Sequence, residues 1–476
     1  MDVTSPPRSH RGRTLLGYLA MVAAAVGAFL LIRSYGLGLQ APDPGPASAF
    51  AAKTPKSSSD ALMHVLVALI VVILAARALG ALFTLLRQPA VIGEVVAGIM
   101  LGPSLLGRVA PGVSAYLLPL QVAPFLGVIS QVGVILYMFL VGLELNTALL
   151  RSRTHASIAV SHASILTPFL MGAGLALYLY PKLSSSDVPF TVFALFMGVS
   201  MSVTAFPVLA RILTDRKMQR SRLGAIALAC AAVDDVTAWC LLAFVVSMAK
   251  AQPGHVFLTV GLTGAYIAVM LLVVRPGVTW FVRWHDRRGE LRQSTMAVVF
   301  VGLLLSALAT ESIGIHALFG AFLLGAMVPQ DSKLAEDVIA KLEDIVVVLL
   351  LPAFFAFTGM RTQIGLVSGV DQWLVCGAIV LCASVGKFGG SAVAARLTGL
   401  DWRQSSALGV LMNTRGLMEL IVLNVGLDLG VLSPTLFAMM VIMALLTTFA
   451  TTPVLHLLMS REERQALVQE GVTSGS

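Results

Sequence analysis

Charge is what this sequence has least of. Of its 476 residues only 12% are Asp, Glu, Lys or Arg, while 57% are hydrophobic and the mean hydropathy is +0.90. A soluble domain carries about 25% charged residues, so a water-soluble globular chain is excluded. Cysteine is scarce as well. Cys230, Cys240, Cys376 and Cys382 all fall within apolar runs without metal-ligand spacing, and read as small hydrophobes. No strand-rich region exists and no Gly-x-Gly-x-x-Gly follows a strand, so no dinucleotide-binding domain and no cofactor is expected.

What the chain has in place of charge is length of apolar sequence. Runs able to span a hydrocarbon layer of about 30 Å occur at 61–84, 90–107, 122–143, 156–180, 188–213, 222–250, 256–275, 294–310, 315–329, 341–360, 371–397, 405–430 and 434–459. An earlier run at 15–32 follows Arg8, Arg11 and Arg13, and is either a cleaved signal or an extra anchoring helix. Its 18 residues and the closing Arg33 favour the helix. The stretch 41–59, rich in Pro, Gly, Ser and Ala, is a linker on either reading. The expectation is an all-α polytopic membrane protein with an N-terminal segment at 1–60, a membrane domain at 61–459 and a tail at 460–476.

The net charge of +8 belongs to the loops. If the run 61–84 goes from outside to inside, the inner connections hold Arg211, Arg216, Arg222, Arg275, Arg283, Arg287 and Arg292, among others. The outer connections after residue 61 hold only Arg108, Lys182, Lys250 and Arg361. That bias is the positive-inside rule. It places the C-terminus in the cytoplasm of a chain crossing the membrane many times, and it explains the charge without a nucleic-acid partner.

The two halves of the membrane domain resemble each other. AGIMLGPS at 97–104 is similar to GAFLLGAM at 320–327, and VGLELNTAL at 141–149 to TGMRTQIGL at 358–366. The glycine offsets are close: 223 from Gly102 to Gly325, and 217 from Gly142 to Gly359. Six spans at 61–250 then match six at 294–459, with 256–275 as a connecting helix. An odd number of spans between matching points inverts the second copy. Inverted repeats are a design of secondary transporters, whose substrates bind at interrupted helices near the midplane.

The fifth span of each half carries such an interruption. VSMSVTAFPVLARIL (199–213) contains Pro207, with Ser202 and Thr204 just upstream. ALGVLMNTRGLMELIVLNVG (407–426) has Asn413, Thr414, Arg415 and Gly416 in mid-span. Loosened backbone at membrane depth is tolerated only where protein buries it or a cavity receives it.

Intramembrane charges then decide the chemistry. Asp234 and Asp235 are the only ionisable side chains between Leu223 and Met248 apart from two cysteines. A charge at the bilayer centre costs roughly 2.5–3.5 kcal/mol on insertion scales. Adjacent helical residues point about 100° apart, so one aspartate can pair with a neighbouring helix while the other faces a cavity. Lys387 is the expected partner, and Arg415 is expected among open carbonyls, near Glu419. Glu94 is a further buried charge. Burial and a like-charged neighbour both disfavour an ionised carboxylate, so the cavity-facing group is driven to hold a proton or a metal ion. Oxygen ligands from Asp235, Thr204, Ser202 and loosened carbonyls suit hard Na+, K+ or Li+. A passive cation channel or an intramembrane aspartyl protease are the rival readings; the second needs its aspartates on different helices. His64, His162 and His316 are read as packed or interfacial, with pH sensing as the alternative.

Six motifs in this order, RQPAVIGEVVAGIMLGPSLLG, FLVGLELN, SVTAFPVLARIL, VDDVTAW, GKFGG and LMNTRGLMELIVLN, resemble the monovalent cation:proton antiporters of the sodium/hydrogen exchanger superfamily. The branch they resemble is that of the plant cation/H+ exchangers and their bacterial relatives, over residues 61–459. The resemblance implies thirteen core helices, a dimerisation domain with a mobile core domain, an elevator-like stroke and a homodimer. It implies that Asp235 carries cation and proton, that Asp234 pairs with Lys387 and that Thr204 is a ligand candidate; from the residues themselves Ser202 joins Asp234, Asp235 and Thr204 as a candidate binding oxygen, and Asn413, Arg415 and Glu419 are candidate supports. Many plant members have Asn-Asp where this chain has Asp234-Asp235, which brings it nearer to electrogenic sodium/proton antiporters. With about 17 residues after the last run, no fused nucleotide-binding domain like that of gated potassium-efflux systems is expected.

Overall fold

Apolar chain in a bilayer has no water to satisfy its backbone, and helices bond every peptide group internally. The computed structural model describes residues 8–42, 58–144, 155–216, 218, 221–250, 256–287, 292–329 and 331–458, and among them there are helices and connections but no strand. Most of the expected linker, 43–57, and the tail at 460–476 lie outside the described residues.

In chain order the helices of ten or more residues are α1 (Arg8–Gly36), α2 (Ser58–Leu85), α3 (Ala90–Leu101), α4 (Ala123–Glu144) and α5 (His155–Leu183). They continue as α6 (Phe190–Ser202), α7 (Phe206–Asp215) and α8 (Arg222–Lys250). Next, α9 joins Val256–Val269 to Arg275–Asp286 through a π turn, and α10 (Gln293–Ile313) and α11 (Ala317–Met327) follow. α12 joins Lys333–Ile345 to Leu351–Arg361 through a π turn at Val346–Leu350. α13 joins Gly369–Ser384 to Gly390–Leu397 through another at Val385–Gly389. Last come α14 (Trp402–Met412), α15 (Leu417–Asp428) and α16 (Pro434–Leu458).

Among the described residues eleven helices, α1 included, are long and apolar enough to cross a membrane, or twelve with α14 and α15 as one bent span. The expected count of thirteen core spans is not reached by that measure. The run at 315–329 forms only the 11-residue α11. The run at 341–360 lies in α12, which opens with the charged, amphipathic segment KLAEDVIAKLEDI.

Packing sorts the helices into two bundles. α5, α6, α8, α13, α14 and α16 pack chiefly on one another, and so do α2, α3, α4, α10, α11 and α12. Close glycine crossings hold the second bundle together. A Cβ at Gly359 of α12 would lie 2.0 Å from the backbone carbon of Gly98 in α3. One at Gly142 of α4 would lie 2.9 Å from the Cα of Gly325 in α11. Lipid gives helices no hydrophobic reason to associate, so backbone proximity supplies the packing energy instead. All four cysteines are free thiols.

Candidate functional site

The first bundle contains both interrupted spans. α6 stops at Ser202, the chain is extended at Val203 (φ −65°, ψ 135°) and Ala205, and α7 starts at Phe206. Pro207 therefore does not kink a continuous helix. It sits in the first turn of α7, where its missing N–H has no helical acceptor. α14 and α15 are separated by Asn413–Gly416 and bent by 44°. The two gaps cross: the Ala205 N–H donates to the Thr414 carbonyl at 3.0 Å, and the Thr204 hydroxyl approaches the Met412 carbonyl at 3.3 Å.

Each gap leaves carbonyls without helical partners, and cations fill the vacancy. Arg415 is fully buried. It donates through Nη1 to the Ser200 carbonyl (2.9 Å) and to Glu419 Oε2 (3.1 Å), and through Nη2 to the Met201 carbonyl (2.7 Å). Thr448 of α16 fastens its backbone, accepting from the Arg415 N–H and donating to the Arg415 carbonyl. Lys387, equally buried, takes the last carbonyl of α6, that of Ser202. It also donates to the Ser164 carbonyl at 2.9 Å.

That second acceptor has a sequence cause. Pro168 lies inside α5 and has no N–H, so it frees the carbonyl four residues earlier, which is that of Ser164. Glycine brings the lysine there: a Cβ at Gly390 would be 2.8 Å from the Ala163 carbonyl oxygen, and one at Gly386 2.9 Å from the Pro168 Cα. The π turn Val385–Gly389 presents Lys387 between those contacts.

The third bond of Lys387 goes to Asp234 Oδ2, 3.0 Å away, with both side chains fully buried. Asp234 is surrounded by donors. Oδ1 faces the Ser161 hydroxyl at 3.1 Å, and Oδ2 faces those of Ser164 (2.7 Å) and Thr204 (2.9 Å). Asp235, one residue on and 2% exposed, forms no salt bridge among the described residues. The Phe206 N–H at the start of α7 bonds its carboxylate, while Oδ1 has no hydrogen-bond partner among the described residues.

The structure thus brings Asp234, Asp235, Thr204, Ser202 and Lys387 together, with Arg415 and Glu419 on the adjoining α6 end. Ser202 and Thr204, expected as ligand oxygens, are engaged elsewhere. The Ser202 hydroxyl bonds the Gly198 (2.7 Å) and Ile165 (3.0 Å) carbonyls, and the Thr204 hydroxyl is drawn to the Asp234 charge. In the crossing, Asn413 Oδ1 and Thr414 Oγ1 are buried without partners. Glu94 is buried in α3, within the other bundle, 3.5 Å from where a Cβ of Gly80 would stand. His64 packs edge-on against Tyr116, and His316 immediately precedes α11. Ser161, Ser164, Pro168 and Thr448 were not anticipated; the only signal for the first three is a serine pair spaced i, i+3 with a proline four residues on, within an apolar span.

Comparison with known proteins agrees with this geometry. The chain matches the transmembrane sodium/hydrogen exchanger family over residues 57–460. It is 43% identical over 398 residues to the Na+/H+ antiporter NhaS4 of Synechocystis, covering 83% of this chain and 97% of that one. It is 40% identical to cation/H+ antiporter 20 of Arabidopsis thaliana (82% of this chain, 48% of the relative) and 34% identical to K+/H+ antiporter 1 of Saccharomyces cerevisiae (79% and 43%). The chain therefore spans nearly all of the cyanobacterial relative and about half the length of the plant and yeast ones. Among solved structures, the sodium proton antiporter MjNhaP1 of Methanocaldococcus jannaschii superposes with a TM-score of 0.54 at 14% identity, over 86% of this chain and 99% of that one. Two helices interrupted at one crossing, a buried Asp-Lys pair beside an unpaired aspartate and a family match across 57–460 meet in one chain, which belongs to the sodium/hydrogen exchanger family.

Proposed function

We propose that this chain is a secondary active antiporter exchanging Na+ or K+ for protons, with cation and proton competing for Asp235. The observation that carries the reading is the contrast between adjacent carboxylates. Asp234 has four donors around it, one of them an ammonium, whereas Asp235 is buried with one oxygen unpartnered. A buried carboxylate in that position needs a proton or a cation to neutralise it. Holding one at a time, with access alternating between the two sides, is sufficient for antiport. The relatives' names supply both ions.

The same reading covers the architecture. Residues 61–250 and 294–459 are taken as inverted repeats about a linker helix at 256–275, with 1–60 and 460–476 flanking the exchanger domain. The α3–α12 and α4–α11 glycine crossings support this, because each joins the second span of one half to the third span of the other. A homodimer in the bacterial inner membrane with a cytoplasmic C-terminus follows from the family likeness and the charge bias of the loops.

Proteoliposomes with an internal pH dye, given Na+, K+ and Li+ separately, test the activity. Asp235→Asn keeps the shape but loses both the charge and the exchangeable proton, so it should abolish cation-driven proton movement while the protein stays folded and inserted. Substantial exchange by that variant would sink the site assignment. Cation flux without proton movement in the wild type would favour a channel.

A further inference from the structure

The two bundles touch at few places, and several of those contacts gather at one end. Lys250, the last residue of α8, pairs with Glu311 of α10 at 3.1 Å. Arg361, which ends α12, pairs with Asp428, which ends α15, at 2.5 Å. Each pair therefore joins a helix of the aspartate-bearing bundle to a helix of the other. Both are built in. The second oxygen of Glu311 accepts the N–H of Ala317 at the start of α11 (3.0 Å). Arg361 also donates to Asn424 Oδ1 (3.2 Å), while the Asn424 amide donates to Thr358 of α12 (2.8 Å), a second link between bundles. By contrast Lys387–Asp234 and Arg415–Glu419 each lie within the first bundle.

The two clasps form one cluster. His316 lies within electrostatic reach of Glu311, Lys250 and Asp428, and with Ser130, Asn424 and Asp428 it lines a cavity of about 40 Å³. Closer to the aspartates, Trp239 stacks on Phe322 of α11 with ring centroids 6.4 Å apart, both rings buried. Trp239 is four residues after Asp235 on α8, about 6 Å along the axis toward Lys250. From Asp235 toward that end, α8 passes first the aromatic stack and then the Lys250–Glu311 pair.

We propose that the Lys250–Glu311 and Arg361–Asp428 pairs, with the Trp239–Phe322 stack beneath them, are the gate that closes one side of the Asp235 site. Both pairs must part for the site to open to that side. The proposal rests on the exchanger reading. Partly exposed ion pairs are individually weak and are screened by salt, so two of them bias the end toward closure without locking it. The positive-inside bias makes this the outer side.

The test fastens one clasp covalently. Cys230, Cys240, Cys376 and Cys382 are replaced by alanine, Lys250→Cys and Glu311→Cys are introduced, and a short bis-methanethiosulfonate reagent spans the length of the two removed side chains. Complete cross-linking should slow cation/proton exchange in proteoliposomes at least tenfold, and reduction should restore it. Exchange at the unlinked rate in fully linked protein overturns the gate. A second measurement does not depend on transport. With Ser130→Cys as reporter, Glu311→Gln plus Asp428→Asn should raise labelling by a membrane-impermeant maleimide at least threefold, from the Lys250 side only. Unchanged labelling also overturns the gate, whereas an unmodified protein that moves no protons in response to Na+ or K+ overturns the exchanger reading instead.

Discussion

Among the described residues Arg415 is the largest of the fully buried side chains, and its three acceptors, two carbonyls and a carboxylate, lie at the end of α6 and one turn into α15. A planar guanidinium reaches all three; a lysine ammonium in the same place reaches fewer. Arg415→Lys should keep exchange with an altered apparent cation affinity and lose about 1–3 kcal/mol of stability, as for lost hydrogen bonds to a charged group. Arg415→Ala strands Glu419 and should lose about 3–5 kcal/mol, as for breaking a buried pair. Thermal unfolding in detergent and proteoliposome exchange check both. A folded Arg415→Lys protein with no exchange, and a changed ion-to-proton ratio in any residual activity, would place Arg415 in the transport cycle. At this scale the sequence made the charged residues legible, because ionisable groups in an apolar run stand out and few partners exist for them. It hid Ser161, Ser164 and Thr448, since a serine or threonine in a membrane helix most often bonds its own backbone. Only a contact across 70 or more positions gives the Ser164 hydroxyl its role at Asp234.

Helices were legible as apolar runs, but their interruptions were legible only in part. Pro207 and the Asn413–Gly416 stretch mark the two broken spans in the sequence, while the break itself falls at Val203–Ala205, before the proline. The π turn at Val385–Gly389 leaves no mark in hydrophobic periodicity, although GKFGG supplies the small residues it exploits. α11 shows the limit of hydropathy: an 11-residue helix stands where a full span was expected. Glycines recurring at matching offsets were the most informative element-scale signal, because they became the crossings between α3 and α12 and between α4 and α11. Gly359→Ala puts a methyl 2.0 Å from the backbone of Gly98, where no flexible side chain can yield. It should lose about 3 kcal/mol, at the upper end for overpacking. Gly174→Ala in α5 meets nothing within 4 Å and should be neutral or slightly stabilising, as helix propensity alone dictates. Equal unfolding temperatures for the two variants would show that the crossing is looser than its geometry.

For the whole molecule the open quantity is how many protons move per cation, and the arrangement around Asp234 bears on it. Lys387 is held by one carboxylate and two carbonyls. On the proposed site assignment, a cation arriving at Asp235, the next residue, brings a positive charge close to that ammonium and competes for the carboxylate that stabilises it. The ammonium proton then becomes easier to lose. Protons can leave both from Asp235 and from Lys387, so two would exchange for one monovalent cation and each cycle would move net charge. An Asn-Asp pair would hold the lysine less firmly and would lack this second titrating element. The expectation is therefore electrogenic exchange. With equal pH on both sides of a proteoliposome, an imposed membrane potential should change the rate of exchange and its end point. Proton competition gives a second reading of the same number: in the acid limb, apparent cation affinity should fall by more than the about tenfold per pH unit that one competing proton allows. Asp234→Asn should lose the voltage response while still exchanging, and its pH dependence should return toward tenfold per unit. Wild-type exchange indifferent to voltage would mean one proton per cation, leaving Asp234 and Lys387 as a structural pair that holds the α6 end open beside a single working carboxylate.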